Sequence, residues 1–468
     1  AKKAGSFLKV EWEPGPLANV STDSIFASLR AAVEGEGKRA RADGDADEAL
    51  AKAVTTLEAV YETPYLAHAT MEPQNCTAHV TTDSCEVWAP TQGPQLAREV
   101  AARVTGLAHD KITVHQTYLG GGFGRRIAQD YVEEAVRISK SLGLPVQVLW
   151  SREDDMRNDY YRPCAVTKLR AGLDAEGELV AWKARLASQS IVSTMAPDFV
   201  ANMLPTWTPR FLKNASGSAA SRLLKVLVDD TAVEGASTLP YGIPNLRVEF
   251  TRQDPGVPIG FWRSVGHSFN VFVSESFLDE CAHAAKKNPL AFRQDLLANQ
   301  PRLRAVLDLA AQKADWDKPL PQGVYRGIAV AESFKSYVAH VVEASVVDNA
   351  IVVRRVVSAV DCGFVVNPDI VVAQVEGSVV FALSAALKQR ITIEKGQVVQ
   401  GNFHDYECLR MMECPRIEVH LVPSAEEPTG IGEPAVPPVA PALAGAVFMA
   451  TGKRLRSLPL QLTEAGLR

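Results

Sequence analysis

Alternating apolar and polar positions predict strands over Phe7–Trp12, Lys111–Tyr118 and Pro145–Trp150. They also predict a hairpin over Val80–Trp88 that turns at Thr81-Thr82-Asp83-Ser84. Helical spacing takes over at Leu96, Ala97, Val100, Ala101 and Val104, with Gly106 as the stop. From Arg125 a second amphipathic pattern carries Tyr131, Val132, Ala135, Ile138 and Leu142 inward and stops at Gly143. An amphipathic helix over Phe269–Ala285, a helix from near Val371 to Lys388, and a last helix from about Ala440 to Thr451 with Gly452 as its stop complete the helical set. Between them a strand-rich block covers Gly327–Glu332, Tyr337–Val347 and Ile351–Val360, while Pro163–Pro258 reads as mixed strands and loops. The first strand is broken by Glu13-Pro14-Gly15-Pro16, so its pairing partner lies later in the chain or in another polypeptide. Residues Ala31–Asp47, dense in Gly and charge, read as an exposed connector. The fold class is α+β or mixed α/β, with a glycine-rich loop between a strand end and a helix start.

Composition narrows the classes. A chain of 468 residues has room for two or three domains. Its 47% hydrophobic and 22% charged residues are an ordinary globular balance. A net charge of −5 without a long basic run argues against nucleic acid or an anionic membrane surface as the main partner. The seven cysteines form no C-x-x-C pair, so neither a zinc site nor a cysteine-ligated iron–sulfur cluster is encoded, and their odd number argues against a disulfide framework. No run of about 20 apolar residues is seen, which predicts no transmembrane segment. The opening Ala-Lys-Lys-Ala-Gly-Ser has no apolar signal core and no starting Met, and reads as the inside of a longer polypeptide or a processed product.

Candidate chemistry concentrates in a few segments. Gly120-Gly121-Gly122-Phe123-Gly124 would weaken any regular element, so a tight turn or a close ligand approach is its reason. It is no dinucleotide fingerprint, because Arg125 stands where the third glycine belongs, and it lacks the Gly-Lys-Ser/Thr of a phosphate-binding P-loop. Glu433 stands in Gly430-Ile431-Gly432-Glu433-Pro434, a carboxylate between a flexible bend and a rigid proline, ahead of an apolar helix. The helix dipole favours its ionised form and burial opposes it, and the sequence leaves that contest open. Gln92 is either a polar residue near a helix cap or a ligand to something bound. Arg263, in Gly260-Phe261-Trp262-Arg263-Ser264-Val265-Gly266, is a stacked structural cation or an anion clamp. Gln374, in Gln374-Val375-Glu376-Gly377 after Asn367-Pro368, offers an amide to a phosphate or serves as a helix N-terminal polar residue.

Taken in order, Ala89-Pro90-Thr91-Gln92, the glycine run, the Arg263 segment, the Gln374 segment and Gly432-Glu433-Pro434 resemble the large subunit of the molybdenum hydroxylases, the xanthine dehydrogenase and aldehyde oxidase family. His68-Ala69-Thr70-Met71-Glu72-Pro73-Gln74-Asn75-Cys76, Gly124-Arg125-Arg126 and Asn402-Phe403-His404-Asp405-Tyr406 are similar to the isoquinoline 1-oxidoreductase β-subunit group. The resemblance runs from about Tyr61 onward. It implies two elongated α/β domains, residues 61–300 and 301–468, that bind a molybdenum cofactor, preceded in residues 1–60 by the remnant of a small domain and the connector. It implies Glu433 as the general base taking a proton from a Mo–OH group, Gln92 on an oxo ligand, and Arg263 near metal or substrate. Gly121, Gly122, Phe123 and Gly124 with Gln374 and Gly432 would bind a molybdopterin dinucleotide, of the cytosine kind, which holds molybdenum through its dithiolene without protein metal ligands.

Purine-oxidising relatives place a Glu just after the glycine run where this chain has Ile127, which leaves aldehydes and N-heteroaromatics as the expected substrates. Segments that such large subunits carry upstream, Gly-Gln-Gly-like and Thr-Gly-Gly-Ser-like, are not in this chain. The expected partners are therefore an upstream part of the same polypeptide or a separate chain completing the pterin pocket. A small subunit carrying [2Fe-2S] clusters and, by analogy, cytochrome c would take the electrons. Exported members of the group suggest a periplasmic or membrane-associated place. A non-catalytic scaffold of the same fold is the alternative.

Overall fold

In the computed structural model residues 2–462 are described, apart from 6, 12, 14 and 196–227. The first sheet has five strands in the spatial order Lys38–Asp43, Asn245–Arg252, Leu179–Ser188, Ala165–Leu173, Thr55–Thr63. Its two central hairpin strands, Ala165–Leu173 and Leu179–Ser188, bury most of their side chains, with Arg170 the one exposed position. Helix Thr22–Glu34 covers this sheet with Ile25, Phe26, Leu29 and Val33, and Ser21 with Ser24 closes its N-terminus as a capping box.

Two expectations fail in this region. Phe7–Trp12 is not a strand. Phe7 and Leu8 close a helical turn onto Ala4 and Gly5, and Phe7, Leu8 and Val10 are exposed, while Trp12 lies outside the described residues. Alternation alone does not make a strand without a neighbour to pair with. Nor is Ala31–Asp47 a connector: it holds the end of the first helix, the strand Lys38–Asp43 and the start of helix Ala46–Lys52. The strand is an edge, where charged side chains are tolerated and even favoured. Arg41 pairs there with Asp43 at 2.7 Å and donates to the carbonyls of Ser237 and Leu239.

The second sheet runs Ile112–Gln116, Cys85–Ala89, Asn75–Val80, Val146–Leu149. Helices Pro94–Thr105 and Asp130–Leu142 lie on it, each stopped by a left-handed glycine, Gly106 and Gly143. The second helix starts later than its pattern suggests, after a 3-10 turn over Arg125–Ile127. It buries Tyr131, Val132, Ala135 and Val136, whereas Ile138 and Leu142, expected inside, are exposed.

The third sheet runs Tyr325–Ser333, Ser336–Val347, Ala350–Asp361, Arg416–Leu421, the last strand parallel to its neighbour. Between the first and third sheets lies helix His267–Ala284. It is buried on nearly every side, so its expected amphipathic stripe gives way to an all-round core helix. Glu275 ties it to both neighbours: it accepts from Arg293 Nε at 2.9 Å, from the Tyr241 hydroxyl, and from the Val330 N–H at 3.1 Å.

Helix Pro368–Leu387 corrects the expectation that no stretch is long and apolar enough to cross a membrane: its 20 residues are. Half of it is buried, and it packs against helix Val439–Thr451 and the strand Arg416–Leu421, so packing accounts for its apolarity. Helix Val439–Thr451 approaches the sheet closely because Gly327 presents no side chain. A Cβ there would stand 2.2 Å from the Ala442 carbonyl and 2.5 Å from the Ala446 nitrogen. Gly327→Ala is therefore expected to lower stability by about 1–3 kcal/mol or more. Gly445→Ala, whose Cβ would meet nothing closer than 3.5 Å, should be neutral or stabilising, and chemical denaturation of the two variants checks the pair.

Candidate active site

Residues far apart in the chain converge beside the glycine loop. Gly120 is held by Glu72, which accepts its N–H at 2.8 Å, and Arg126, fully buried beneath the loop, donates to the Gly121 carbonyl at 2.7 Å and to Glu72 at 2.9 Å. Burial pushes the Arg126 guanidinium below its usual range, with Glu72 opposing. Gly124 packs against Phe261 so tightly that a Cβ would lie 1.7 Å from its carbonyl oxygen, and its φ is +108°. Phe123 is itself left-handed at φ +54°. Among the described residues the N–H groups of Gly121, Gly122 and Phe123 have no protein partner, which is the cradle the glycine run predicts.

The Gln92 side chain bridges this loop. Its Oε1 accepts from the N–H groups of Gly124 at 3.1 Å and Arg126 at 3.3 Å, so its amide NH₂ is left as a donor. It does not cap the following helix, whose N-cap is Gly93. Gln374 repeats the arrangement from another element. Its Oε1 accepts from Arg263 at 3.2 Å, and Asn367 takes the N-cap role by accepting from the Ile370 N–H. Gln374 and Gly377 share one face of their helix with Phe381, two turns on from Gln374, and a Cβ at Gly377 or at Gly432 would meet nothing within 4 Å.

Arg263 joins these pieces. Only 8% exposed, it donates from Nε to the Gly432 carbonyl at 2.7 Å, and its guanidinium lies 6.0 Å from the Phe123 ring and 5.7 Å from the Phe381 ring. Phe381 lies 4.6 Å from both Phe123 and Trp262, making an aromatic wall. Of the two readings open in the sequence, the stacked cation is seen directly.

Glu433 follows Gly432 and faces the same space. The Ser264 N–H donates to its Oε2 at 3.3 Å and the Ser264 hydroxyl to its carbonyl at 2.8 Å. Ser264 and Val265 are both left-handed, at φ +76° and +45°, two strained residues in succession at the Glu433 contact. Burial raises the Glu433 carboxyl above the ordinary glutamate range, against the pull of the Ser264 N–H and the Arg263 charge. Burial outweighs both. Behind Glu433, the neutral His340 ring contacts the Ala435 carbonyl at 2.8 Å and the Ser358 hydroxyl at 2.8 Å, and burial pushes its pKa down to about 4.

All nine sequence candidates lie in or around this space: Glu433, Gln92, Arg263, Gly121, Gly122, Phe123, Gly124, Gln374 and Gly432. The motif residues outside it brace it. His68 contacts the Phe261 carbonyl at 2.7 Å and pairs with Asp159 at 2.9 Å, and Tyr406 donates to the Ala67 carbonyl at 3.0 Å. Asp361 is structural, bound by both arms of Arg302 at 2.7 Å. Sequence reasoning missed Phe381, which was open to discovery from the Gln374 helical stripe, and quoted Ser264 only as a member of the Arg263 segment.

The surroundings fit a cofactor that brings its own metal ligands. Among the described residues no group of three or more His, Cys, Asp or Glu is placed to hold a metal ion. What the site offers is unfilled N–H groups, two outward amide NH₂ groups and glycines that leave room, which suits an oxygen-rich, acceptor-bearing group. Known proteins agree. Residues 32–208 and 300–415 each match a family described as molybdopterin cofactor-binding domain. The beta chain of isoquinoline 1-oxidoreductase from Brevundimonas diminuta is 30% identical over 457 residues, 96% of this chain and 52% of that protein. The membrane-bound aldehyde dehydrogenase [pyrroloquinoline-quinone] of Gluconacetobacter polyoxogenes is 30% identical over 98% of this chain and 60% of its own length. A nicotinate dehydrogenase subunit of Pseudomonas putida is 28% identical over 98% of this chain and 39% of its own length. The chain thus spans roughly half the length of the curated relatives it matches. Quinoline 2-oxidoreductase from Pseudomonas putida 86 shares the fold with a TM-score of 0.77 at 14% identity, over 98% of this chain and 82% of that one.

A melting experiment reads the Glu433 environment without turnover. A carboxyl whose folded pKa is raised costs stability as pH rises from its unfolded value through its folded one. Glu433→Gln should therefore melt above the parent chain at neutral pH. The difference should vanish in acid, below the ordinary glutamate range.

Proposed function

Because this chain belongs to the family of molybdopterin-binding large subunits of molybdenum hydroxylases, we propose that it oxidises an aldehyde to a carboxylic acid or hydroxylates a carbon of an N-heteroaromatic ring. The observation that carries this reading is the partly buried Glu433, held by Ser264 and joined through Gly432 and Arg263 to Gln374, facing a loop with free N–H groups. When bound, the molybdopterin cofactor supplies the two-electron oxidation. Gln92, Gln374 and the N–H groups of Gly121, Gly122 and Phe123 hold and orient it by donating hydrogen bonds. Arg263 keeps the Phe123–Phe381 wall and the Gly432 carbonyl in place. Glu433, with Oε2 fixed by Ser264, takes a proton at Oε1.

Both candidate reactions balance alike: the carbon gains one oxygen from water and gives up two electrons and two protons. The names of the relatives, isoquinoline, aldehyde and nicotinate, support these substrates, and Ile127 after the glycine loop speaks against a purine. The same reading assigns the cytosine dinucleotide form of the cofactor, [2Fe-2S] clusters on a partner subunit, cytochrome c as a further acceptor, and a periplasmic or membrane-associated place.

Elemental analysis of the purified native assembly should find molybdenum together with iron and a small additional chain. Glu433→Gln should keep the molybdenum and lose turnover by about 10²-fold or more on aldehyde and azaarene substrates. Near-normal turnover in a metal-loaded variant would remove the base assignment, and no molybdenum in a fully assembled sample would favour the scaffold. Gly377→Ala should gain about 0.5–1 kcal/mol of helix stability while retaining less molybdenum, because its methyl fills open space on the Gln374 face.

A further inference from the structure

Arg162 is a buried charge that no ion pair of the fold accounts for. It is 1% exposed, and among the described residues no Asp or Glu pairs with it. Its Nη2 donates to the Pro64 carbonyl at 2.9 Å, while Nε has no hydrogen-bond partner. Burial lowers its pKa to about 10, so the group is still a cation at neutral pH. A cation taken out of water without a carboxylate destabilises a fold unless something else satisfies it. Here the partners are aromatic: the guanidinium lies 5.4 Å from the Trp262 ring and 5.9 Å from the Phe269 ring.

Trp262 carries that contact into the candidate site. Its ring lies 4.6 Å from Phe381 with 27° between the planes, and Phe381 lies 4.6 Å from Phe123 at 31°. Arg162, Trp262, Phe381 and Phe123 thus form one column that ends at the glycine loop. The Arg162 end is anchored to a single segment of chain. The Arg162 N–H donates to the Leu66 carbonyl at 2.9 Å, and Trp262 Nε1 donates to the next carbonyl, that of Ala67, at 3.2 Å. At the loop end Phe123 is left-handed at φ +54°, and its N–H has no partner among the described residues. Ring contacts are therefore what fix Phe123.

We propose that Arg162 is a positioning residue for the glycine loop: its charge on the Trp262 ring holds the Trp262–Phe381–Phe123 column, and the column holds Phe123 and the N–H groups beside it. The inference rests on that loop being the cofactor cradle. It gives the unpaired cation a task at a distance, because Arg162 touches the loop only through two rings. Arg263 meets the same column at Phe381 and Phe123, so the aromatic wall has a guanidinium at its base and another along its side.

The test uses the full chain in its native assembly and reads hydrogen exchange of the peptide that holds the Gly124 and Arg126 N–H groups, both bonded to Gln92. Arg162→Gln keeps a donor for the Pro64 carbonyl and loses the cation. It should quicken that exchange about 5-fold or more while the strands of the third sheet stay unchanged. Phe381→Leu should quicken it to a similar extent, and the double variant no further than the faster single one, because both cut the same column. Arg162→Lys keeps a cation over the ring and should stay within about twofold of the parent. If Arg162→Gln does not fold, Arg162→Met, which buries no polar group, takes its place. Parent-like exchange without the cation, quickening spread over all three sheets, effects that multiply in the double variant, or an Arg162→Lys as fast as Arg162→Gln overturns the proposal. An assembled parent without molybdenum removes the cofactor reading instead, so the two fail separately.

Discussion

The buried guanidinium of Arg263 is the constraint on which the site depends. It reaches the Gly432 carbonyl beside Glu433, the Gln374 side chain on the long helix, and the faces of Phe123 and Phe381. Those groups come from three separate segments, the glycine loop, the Gln374 helix and the Gly432 bend, and Arg263 adds its own aromatic turn as a fourth. A planar fork with several donors and two usable faces can satisfy all of them at once, which an ammonium cannot. Burial pushes the Arg263 pKa down and Glu433 holds it up, so guanidinium and carboxylate stabilise each other's charged forms.

A second set of buried charges keeps the loop in shape from below. Arg125 lies between Trp150 and Tyr160 and pairs with Asp130 at 2.7 Å and Asp159 at 3.0 Å. Asp159 also holds His68, which contacts the Phe261 carbonyl against which Gly124 packs. Buried ion pairs are weak contributors to net stability but costly to break. Their effect here is geometric: the loop has one position, with its N–H groups unfilled by protein.

Much of the fold was legible in the sequence because its periodic signals were local. The helix stops at Gly106, Gly143 and Gly452 and the hairpin at Thr81–Ser84 stand where the pattern puts them, and the strand block expected from Gly327 begins two residues earlier, at Tyr325. The misses have physical causes. Lys38–Asp43 looks like a connector because an edge strand can carry the charges a central strand cannot. Phe7–Trp12 looks like a strand because alternation says nothing about whether a partner exists. The helix Thr22–Glu34 had a readable signal in Ser21, Ser24 and the spacing of Ile25, Leu29 and Val33, which the charge-dense stretch after it obscured. At the site, the glycine run, Gln92, Arg263, Gln374 and Glu433 were legible as motifs, but their convergence was not. Phe381 belongs to no quoted motif, and only the packing of its helix brings it to Phe123 and Trp262.

The choice between an enzyme and a scaffold can be argued from what the site costs the fold. A scaffold of this architecture would gain by relaxing Phe123, Ser264 and Val265 from their left-handed conformations and by letting Glu433 reach solvent. It would also gain by filling the open space at Gly377, where alanine is the better helix former. Each of these features weakens the chain in the absence of a bound group, and Phe123, Ser264 and Glu433 lie around Arg263. Stability spent in several unrelated segments toward a single point is the pattern expected where a site is held ready for chemistry. Desolvation of the carboxylate adds direction to that argument. A cofactor-binding surface without turnover needs donors, which Gln92, Gln374 and the loop supply, but it has no use for a carboxyl raised above its ordinary range. A base does, because the proton it takes is then held through the oxidation and released afterwards.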